Sequence, residues 1–273
     1  MKKTANKTVL ITGVSSGIGR ETALYLAKKG FRVFGTVRKD TANLDGVELV
    51  KLDVTDDASV SEAVRAITAK AGPIGGLVNN AGYLLNGAIE ETSLAEAREQ
   101  FETNFFGVLR TVNAVLPGMR EQGHGRIVNL SSVLGFMPAP YAGLYVATKH
   151  AIEGYTETLD HEVRHFGVRA VLVQPDFTRT SIDHNGRTVA QTVSAYAAQK
   201  ARAMEFVQQS MKIGTDPRAV AAAIHAALTA NSPRLRYPVG SGGKLSLLRR
   251  FVPAGMFASS IRKQFRMDET RTA

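Results

Sequence analysis

Short apolar runs alternate with longer amphipathic stretches along most of the chain, and this alternation constrains the fold more than any other feature. Seven runs are rich in Val, Ile and Leu and bounded by Gly, Pro, Asp or Ser: KTVLIT, FRVFGTVR, VELVKLDV, GGLVNN, GRIVNLSS, VRAVLVQP and PRLRYPVG. Helical stretches such as GRETALYLAKKG lie between them. Near-continuous apolar strands that alternate with helices indicate a parallel sheet covered on both faces. We therefore expect an α/β fold, doubly wound around a seven-stranded, mainly parallel sheet.

The chain has 273 residues, which is enough for one large α/β domain or two small ones. Its strand-like runs follow one another without a long linker, a low-complexity segment or an internal repeat, which favours one domain. We expect this domain over residues 1–240 and a basic segment over 241–273, where seven basic residues from Lys244 onward outnumber two acidic ones. A cap over the substrate cleft or packing on a neighbouring subunit is favoured for that segment, and contact with a membrane surface is the alternative.

The composition bounds the class of protein. The chain has no cysteine, which excludes disulfides and cysteine-bound zinc and suits a reducing, cytoplasmic setting. No apolar run approaches the roughly 20 residues that a membrane-spanning helix needs. The formal charge of +10 raises the hypothesis of a nucleic-acid partner. No aromatic-rich stripe or recognition motif accompanies the charge, so we expect a solvated basic surface and no nucleic acid.

A glycine-rich turn follows the first strand and opens a helix in VLITGVSSGIGRETA. Gly13, Gly17 and Gly19 have the spacing G-x-x-x-G-x-G, which differs from the common dinucleotide fingerprint G-x-G-x-x-G. Glycines permit a tight turn and a close approach of the backbone to a pyrophosphate at the positive end of the helix. Ser15 and Ser16 add hydroxyl donors. The turn therefore predicts a dinucleotide site.

The end of the second strand indicates which dinucleotide binds. Val37 stands there, followed by Arg38 and Lys39. A carboxylate at this position would bind the adenine-ribose hydroxyls and repel a 2′-phosphate. Since the chain has none, and the Arg38 guanidinium could fork onto a phosphate, NADP(H) is favoured over NAD(H), which stays the alternative. An ordinary solvated loop at Arg38 and Lys39 is the other interpretation.

The stretch LYVATKHAIEGY places Tyr145 and Lys149 four residues apart, so that both lie on one helix face. An ammonium near a phenol lowers the pKa of the phenol from its ordinary value of about 10, which suits general acid–base work on an alcohol or ketone oxygen. The run GRIVNLSS brings Ser131 and Ser132 to the carboxyl end of a strand, where ligands of such sheets bind. A serine hydroxyl there could hold the same oxygen.

Seven motifs occur in the order and spacing of the short-chain dehydrogenase/reductase family: TGVSSGIG, LDVTD, LVNNAG, NFFG, IVNLSS, YVATK and QPDFTRT. The chain resembles this family over about residues 5–240. The resemblance implies a Rossmann-type domain, hydride transfer between a nicotinamide cofactor and an alcohol or ketone, and a homodimer or homotetramer. The stretches VFGTVR and LGFMPAPYAGLYVATKHAIEGY are similar to steroid- and retinol-type members, which implies a hydrophobic substrate.

The resemblance also implies roles for single residues. Tyr145 resembles the catalytic acid/base, and Lys149 resembles the lysine that tunes it and holds the nicotinamide ribose. Ser132, thirteen residues before Tyr145, resembles the substrate-orienting serine, and Asn104 resembles the asparagine that steadies a water in a proton relay. A substrate lid is expected at about residues 178–214, after the nicotinamide-side strand. The expected cofactor-binding residues are Gly13, Ser15, Ser16, Gly17, Ile18, Gly19, Arg38, Asp53, Val54, Asn80, Ala81, Gly82, Tyr145, Lys149, Pro175, Thr178 and Thr180.

One position departs from the family pattern. Where members have Pro-Gly, this chain has Pro175 and Asp176, so that a carboxylate enters near the expected nicotinamide site. Glycine adopts backbone shapes that aspartate disfavours, which puts the local geometry in question. The departure is the only sequence support for an alternative function, a cofactor-binding regulatory protein with little catalysis.

A second alternative is a zinc metalloprotease, because His161, Glu162 and His165 match the pattern H-E-x-x-H. The apolar stripe of that helix runs through Leu159, Val163 and Phe166, so both histidines should face away from the core. Zinc catalysis needs a third ligand and a cleft. Residue type alone offers His184 and Glu205 as third ligands. We therefore expect no metal site, and read the three residues as the polar end of a helix.

Overall fold

A seven-stranded parallel sheet forms the centre of the computed structural model, which describes residues 6–39, 41–180 and 186–267. The nine strands of the described chain, numbered in order, are β1 Thr8–Ile11, β2 Arg32–Val37, β3 Val47–Lys51, β4 Gly76–Asn79, β5 Leu85–Asn86, β6 Gly125–Leu130, β7 Val168–Pro175, β8 Arg187–Thr188 and β9 Arg236–Val239. The main sheet has the order β3-β2-β1-β4-β6-β7-β9, and every neighbouring pair is parallel. The predicted fold class and all seven predicted strands are confirmed.

Nine α-helices are described alongside these strands: α1 Gly17–Lys28, α2 Asp57–Ala71, α3 Leu94–Phe101, α4 Gly107–Gln122, α5 Gly143–Val163, α6 Ala197–Lys212, α7 Pro217–Thr229, α8 Gly242–Phe251 and α9 Ala254–Gln264. The helix starts follow local sequence. Asp56 caps α2 and Asp216 caps α7, whose first turn holds Pro217, while Ser93 and Glu96 form a capping box on α3. Among the described residues, none of the helices has the length and apolar character to cross a membrane.

Alternate residues of each central strand face two separate cores. Val9 and Ile11 of β1 pack in the cluster that includes α1 and α7, whereas Leu10 packs in the cluster that includes α2, α4 and α5. Side chains alternate across a strand, so burial on both faces requires the near-continuous apolar runs seen in the sequence. The helices therefore cover both sides of the sheet, as the doubly wound pattern predicts.

The strand order places the ends of particular strands together. On one side of β1 the chain adds β2 and then β3, and on the other side it adds β4, β6, β7 and β9. In open sheets of this kind, ligands bind beyond the carboxyl ends of the strands at such a reversal of order. The glycine turn after β1 lies at that position.

A second sheet and two C-terminal helices complete the fold. The two-residue strands β5 and β8 pair in parallel, which joins the segment after β7 to the loop after β4. Most of residues 241–267, which were expected to form a basic capping or packing segment, lie in α8 and α9. Both helices lie after β9 and pack above the carboxyl ends of the strands through Leu245, Phe257 and Ile261.

Candidate active site

The glycine turn is shaped by backbone geometry and close packing. Gly17 has φ +58°, a left-handed value that side chains disfavour. A Cβ on Gly19 would overlap the Gly13 carbonyl oxygen and Asn80 Nδ2. Asn80 closes the turn onto β4, because its Nδ2 donates to the carbonyl oxygens of Thr12 and Gly13 at 2.9 and 2.8 Å. The predicted glycine spacing thus follows from a turn held tightly against the next strand.

A groove of about 560 Å³ runs along the carboxyl ends of β1 to β4. Its walls hold most of the residues expected to bind cofactor: Gly13, Ser15, Ser16, Gly17, Ile18, Arg38, Asp53, Val54, Asn80, Ala81, Gly82 and Thr180. Gly19 lies in the same turn behind them. Arg38 is exposed at the rim, directly after the last residue of β2. A groove lined by the glycine turn after β1 and by Arg38 after the neighbouring strand β2 fits a dinucleotide.

Asp53 stands at the carboxyl end of β3 with an ordered carboxylate. Its Oδ1 accepts hydrogen bonds from the backbone N–H and the hydroxyl of Thr55 at 2.9 and 2.8 Å. Partial burial opposes ionisation, but these hydrogen bonds and the charge of Arg38 hold the pKa of the Asp53 carboxyl below its ordinary value. Asp53 is therefore a fixed acceptor on the wall of the groove.

A second cavity, of about 290 Å³, adjoins the groove. Ile18, Asn80, Gly82 and Thr180 line both spaces, so the two are continuous. The polar side chains that the sequence singled out lie at one end, and the remaining wall is mostly apolar. The apolar wall includes Leu84, Val133, Met137, Phe177, Met204, Phe206, Val207, Leu245, Ile261 and Phe265.

Tyr145 and Lys149 lie in the first two turns of α5 and both line this cavity. The Lys149 Nζ atom is 5.4 Å from the centre of the Tyr145 ring and donates to the Leu130 carbonyl oxygen at 2.6 Å. Burial lowers the pKa of Lys149 to about 8, against the attraction of Glu153. Burial also raises the pKa of the Tyr145 phenol above its ordinary value.

The shift in Tyr145 is opposite to the one expected from sequence. Proximity to an ammonium was predicted to lower the phenol pKa, but desolvation by the cavity walls dominates in the folded chain. The lysine is itself destabilised as a cation by burial, which weakens its influence on the phenol. At neutral pH, Tyr145 therefore keeps its proton.

Two serines follow β6 at the cavity wall. The Ser132 hydroxyl accepts a hydrogen bond from the Leu134 N–H at 3.1 Å and donates weakly to the Pro175 carbonyl oxygen at 3.4 Å. Ser131 is buried beside it, and both serines line the cavity. Ser132 begins a 3-10 turn, which fixes its backbone and aims its side chain at the cavity.

Asn104 lies in a π-helical turn, Glu102–Phe106, between α3 and α4. Such turns often occur at functional sites. The Asn104 amide donates to the Tyr83 carbonyl oxygen at 2.9 Å and to the Thr148 hydroxyl at 3.3 Å, and its oxygen accepts from the Tyr83 N–H at 3.0 Å. The side chain therefore ties the loop after β4 to the helix that holds Tyr145 and Lys149.

Asp176 lines the cavity, and its carboxylate is held by neighbouring protein groups. Its carboxylate accepts hydrogen bonds from the Thr215 hydroxyl at 2.8 Å and from the Ser241 N–H and hydroxyl at 2.6 and 2.8 Å. Gly240 has φ +67°, and a Cβ there would overlap the same carboxylate. Asp176 therefore joins the end of β7 to α7 and α8. Thr178, which follows it, is buried and donates to the Asp176 carbonyl oxygen at 3.1 Å.

The H-E-x-x-H residues do not converge on a site in the described chain. His161 and Glu162 are exposed on α5, and His165 lies on the turn after it with its ring against Phe166. Among residues 6–39, 41–180 and 186–267, no three potential ligands lie close enough together to hold a metal ion. Glu205 pairs with Arg266 at 3.7 Å, and His184 lies outside the described residues. Phe166, expected on the apolar stripe, is 37% exposed.

A buried polar chain beneath the site was missed from sequence. Thr111 donates to Asn79 at 2.6 Å, Asn79 donates to Asn129 at 2.9 Å, and Asn129 donates to Thr156 at 2.8 Å. It crosses β4 and β6 and joins α4 to α5. The sequence does show the two asparagines inside apolar runs. Their hydrogen bond, however, requires β4 and β6 to be neighbours in the sheet, and sequence spacing does not specify which strands are neighbours.

The parallel sheet, the glycine turn at its reversal point and the groove above it define a nucleotide-binding protein of the Rossmann type. The chain belongs to the short-chain dehydrogenase family, whose model matches residues 7–191. It is therefore an oxidoreductase of the kind that acts on alcohol and keto groups. This confirms the resemblance drawn from its motifs.

Relatives and solved structures agree with this assignment. The chain is 39% identical to 3-ketodihydrosphingosine reductase of Bacteroides thetaiotaomicron over 235 residues, 85% of this chain and 87% of that protein. It is 40% identical to human retinol dehydrogenase 8 over 205 residues, 70% of this chain and 64% of that protein. A short-chain dehydrogenase from Streptomyces avermitilis matches with a TM-score of 0.80 and 34% identity over 98% of this chain and 97% of the other.

Two further structures were solved with cofactor. ElxO with NADP bound matches with a TM-score of 0.72 and 28% identity, covering 88% of this chain and 99% of the other. The 3-ketoacyl-(acyl-carrier-protein) reductase of Brucella melitensis, complexed with NADH, matches with a TM-score of 0.73 over 85% and 96% of the two chains. Its identity of 23% supports the fold alone.

Proposed function

We propose that the protein interconverts a hydrophobic alcohol and the corresponding ketone with NADP(H), using Tyr145 as acid and base. One observation carries the proposal. The groove that fits a dinucleotide shares Ile18, Asn80, Gly82 and Thr180 with an adjoining, mostly apolar cavity, and Tyr145, Lys149 and Ser132 all line that cavity. A substrate in the cavity would have its reacting oxygen within reach of these three side chains.

The chemistry divides between cofactor and protein. A bound nicotinamide supplies or accepts the hydride. Tyr145 keeps its proton at neutral pH and can give it to a carbonyl oxygen that gains negative charge, which suits the reductive direction. The Ser132 hydroxyl can hold the same oxygen, and Lys149 supplies a polar group to the same cavity. Asn104 fixes the start of α5 and so positions both residues.

The proposed substrate is hydrophobic because the cavity is. Side chains from the loop after β6, from α6 and from α8 and α9 form a continuous apolar wall opposite Tyr145. Burying apolar surface stabilises a bound ligand by roughly 25 cal/mol per Å². The names of two relatives, a 3-ketodihydrosphingosine reductase and a retinol dehydrogenase, support a substrate of this kind. A homo-oligomer and a cytoplasmic location stay predictions.

NADP(H) is proposed over NAD(H) on the basis of Arg38. Val37 ends β2 without a carboxylate, and the exposed Arg38 lies at the groove where a 2′-phosphate would emerge. The NADP-bound structure of ElxO supports this choice, and NAD(H) stays the alternative.

Tyr145→Phe tests the catalytic proposal. Without the phenol, turnover on a panel of hydrophobic ketones should fall about 10²- to 10⁴-fold, the contribution of a positioned acid, as followed by NADPH absorbance. NADPH binding, measured by fluorescence, should stay unchanged because the substitution removes only one oxygen.

Tyr155→Phe is the matched control, since Tyr155 lies on the same helix with its ring against Phe105 and away from the cavity. Full turnover by Tyr145→Phe would refute the assignment. NADPH binding without turnover by the wild type on a broad panel would instead favour the regulatory alternative.

A further inference from the structure

The outer surface of α8 and α9 exposes large apolar side chains. Leu247, Leu248 and Phe251 on α8 are 60%, 49% and 72% exposed, and Met256 in the first turn of α9 is 66% exposed. The spacing of the three α8 residues puts them on one side of that helix, and Met256 follows in the first turn of α9 after a two-residue connection. These four residues are called the outer face below.

The inner surface of the same two helices closes the active-site cavity. Leu245 from α8 and Ile261 and Phe265 from the α9 side line the cavity, and Phe257 is buried in the same apolar cluster. The helices are thus anchored through one side, and they cannot turn the outer face inward without opening the cavity. An exposed patch that the fold holds in place, next to a binding cavity, is typical of an interaction surface.

The chain around the outer face is predominantly basic. From Lys244 onward two acidic residues, Asp268 and Glu269, stand against seven basic ones: Lys244, Arg249, Arg250, Arg262, Lys263, Arg266 and Arg271. Arg266 faces Glu205 of α6 at 3.7 Å. The Arg249 guanidinium lies 5.2 Å from the Phe257 ring, and that of Arg250 lies 5.6 Å from the Phe251 ring. Arg250 therefore stands directly beside an exposed apolar side chain, whereas Arg249 lies over the buried Phe257 ring.

We propose that the outer face docks on an anionic lipid surface, with its apolar side chains in the headgroup boundary and its basic ones against lipid phosphates. Amphipathic helices that combine Leu and Phe with Lys and Arg bind membranes in this way. A second copy of the chain is disfavoured as the occupant, because a two-fold interface would set this basic surface against itself. The arrangement would hold the cavity wall at the membrane, where a hydrophobic substrate dissolves.

Vesicle co-sedimentation of the whole chain tests the docking without any need for turnover, so that its outcome is independent of the proposed reaction. Wild type should bind vesicles of phosphatidylcholine mixed with phosphatidylglycerol and bind phosphatidylcholine alone much more weakly. Arg249→Gln with Arg250→Gln should weaken partition about 30-fold, since each basic residue near an anionic surface contributes about fivefold. Leu247→Gln with Phe251→Gln should weaken it at least tenfold.

The matched control combines Leu94→Gln with Arg65→Gln, which removes one exposed leucine and one exposed arginine from α3 and α2. It should bind vesicles as the wild type does, and thermal unfolding should show that all three variants are folded. Equal binding of wild type to both vesicle types, or wild-type binding by either outer-face variant, would overturn the proposal. So would a loss of dimer mass on Leu247→Gln with Phe251→Gln, measured by sedimentation velocity, because the face would then join two copies.

Discussion

At the scale of single residues, the site divides into positions that local sequence specifies and positions that depend on distant contacts. The spacing of Tyr145 and Lys149, and their place on one helix, could be predicted because helix geometry is local. The pKa of Tyr145 could not, since it depends on how deeply the walls of the cavity bury the phenol. The hydrogen bonds of Asp176 could not be predicted either, because its partners Thr215 and Ser241 come from segments far along the chain.

Arg38→Gln gives the residue-scale prediction for cofactor choice. A hydrogen bond to a charged group contributes roughly 1.5–3 kcal/mol, which corresponds to about tenfold to hundredfold in Kd. We expect Arg38→Gln to weaken NADPH binding by that factor and to leave NADH binding unchanged in fluorescence titrations. Lys39→Gln, one residue further on, serves as the control. An equal loss for both dinucleotides would show that Arg38 supports the groove in general and does not select a 2′-phosphate.

At the scale of elements, the expected lid is held in place by Glu91, an anchor that no local sequence pattern indicates. Glu91 is buried and accepts hydrogen bonds from the Ala88 and Val193 N–H groups and from Lys200 Nζ, so that it fastens the start of α6 to the loop after β5. Nearby, the Tyr196 hydroxyl donates to Glu90 at 2.6 Å. The sequence indicated a mixed helical stretch after β7, but the acidic residues that hold it lie about a hundred positions earlier.

Glu91→Gln should loosen this anchor. The hydrogen bonds from Lys200, Val193 and Ala88 outweigh burial and lower the pKa of the Glu91 carboxyl from 4.5 to about 2. A lowered pKa stabilises the fold above pH 4.5, and the stabilisation is lost as the pH falls from 4.5 towards 2. Wild type should therefore have a higher Tm than Glu91→Gln at neutral pH, and the gap should close below pH 4.5.

Limited proteolysis should also cut the α6 region of Glu91→Gln faster than that of wild type, with Glu62→Gln on the exposed side of α2 as the control. A Tm gap that persists unchanged at pH 3, or equal rates of cleavage at neutral pH, would mean that the anchor does not depend on the charge of Glu91.

At the scale of the whole molecule, the fold was predictable because seven apolar strand patterns recur along the chain. Each buried strand needs apolar residues on both faces, and most crossovers carry a helix, with β2–β3 as the exception, so the same signal recurs along the chain. The pair β5 and β8 escaped prediction because two-residue strands have no periodicity. A capping or packing role was expected for residues 241–273, but the sequence did not indicate which residues of α8 and α9 would face the cavity, since amphipathic spacing marks a helix but not the surface that it covers.

The buried Lys149 should lower the free energy of unfolding at neutral pH. Burial lowers the pKa of Lys149 from 10.5 to about 8, so the unfolded chain binds more protons than the folded one between these values. This destabilisation is complete below about pH 8. As the pH rises from there towards 10.5, the free energy of unfolding increases by roughly 3 kcal/mol in all. Lys149→Met removes the charge and keeps much of the length. Relative to this variant, wild type should gain stability as the pH rises from about 7 to about 10.

Urea unfolding of wild type and Lys149→Met at both pH values measures this gain, and the comparison cancels the titration of groups that the two chains share. Lys28→Met, on the exposed end of α1, serves as the control. The Met variant loses the hydrogen bond to the Leu130 carbonyl, so the informative quantity is the change in the stability difference with pH and not its value at one pH. If the difference in free energy of unfolding between the two chains is the same at both pH values, the pKa of Lys149 is not lowered in the folded chain. The buried ammonium would then not destabilise the fold.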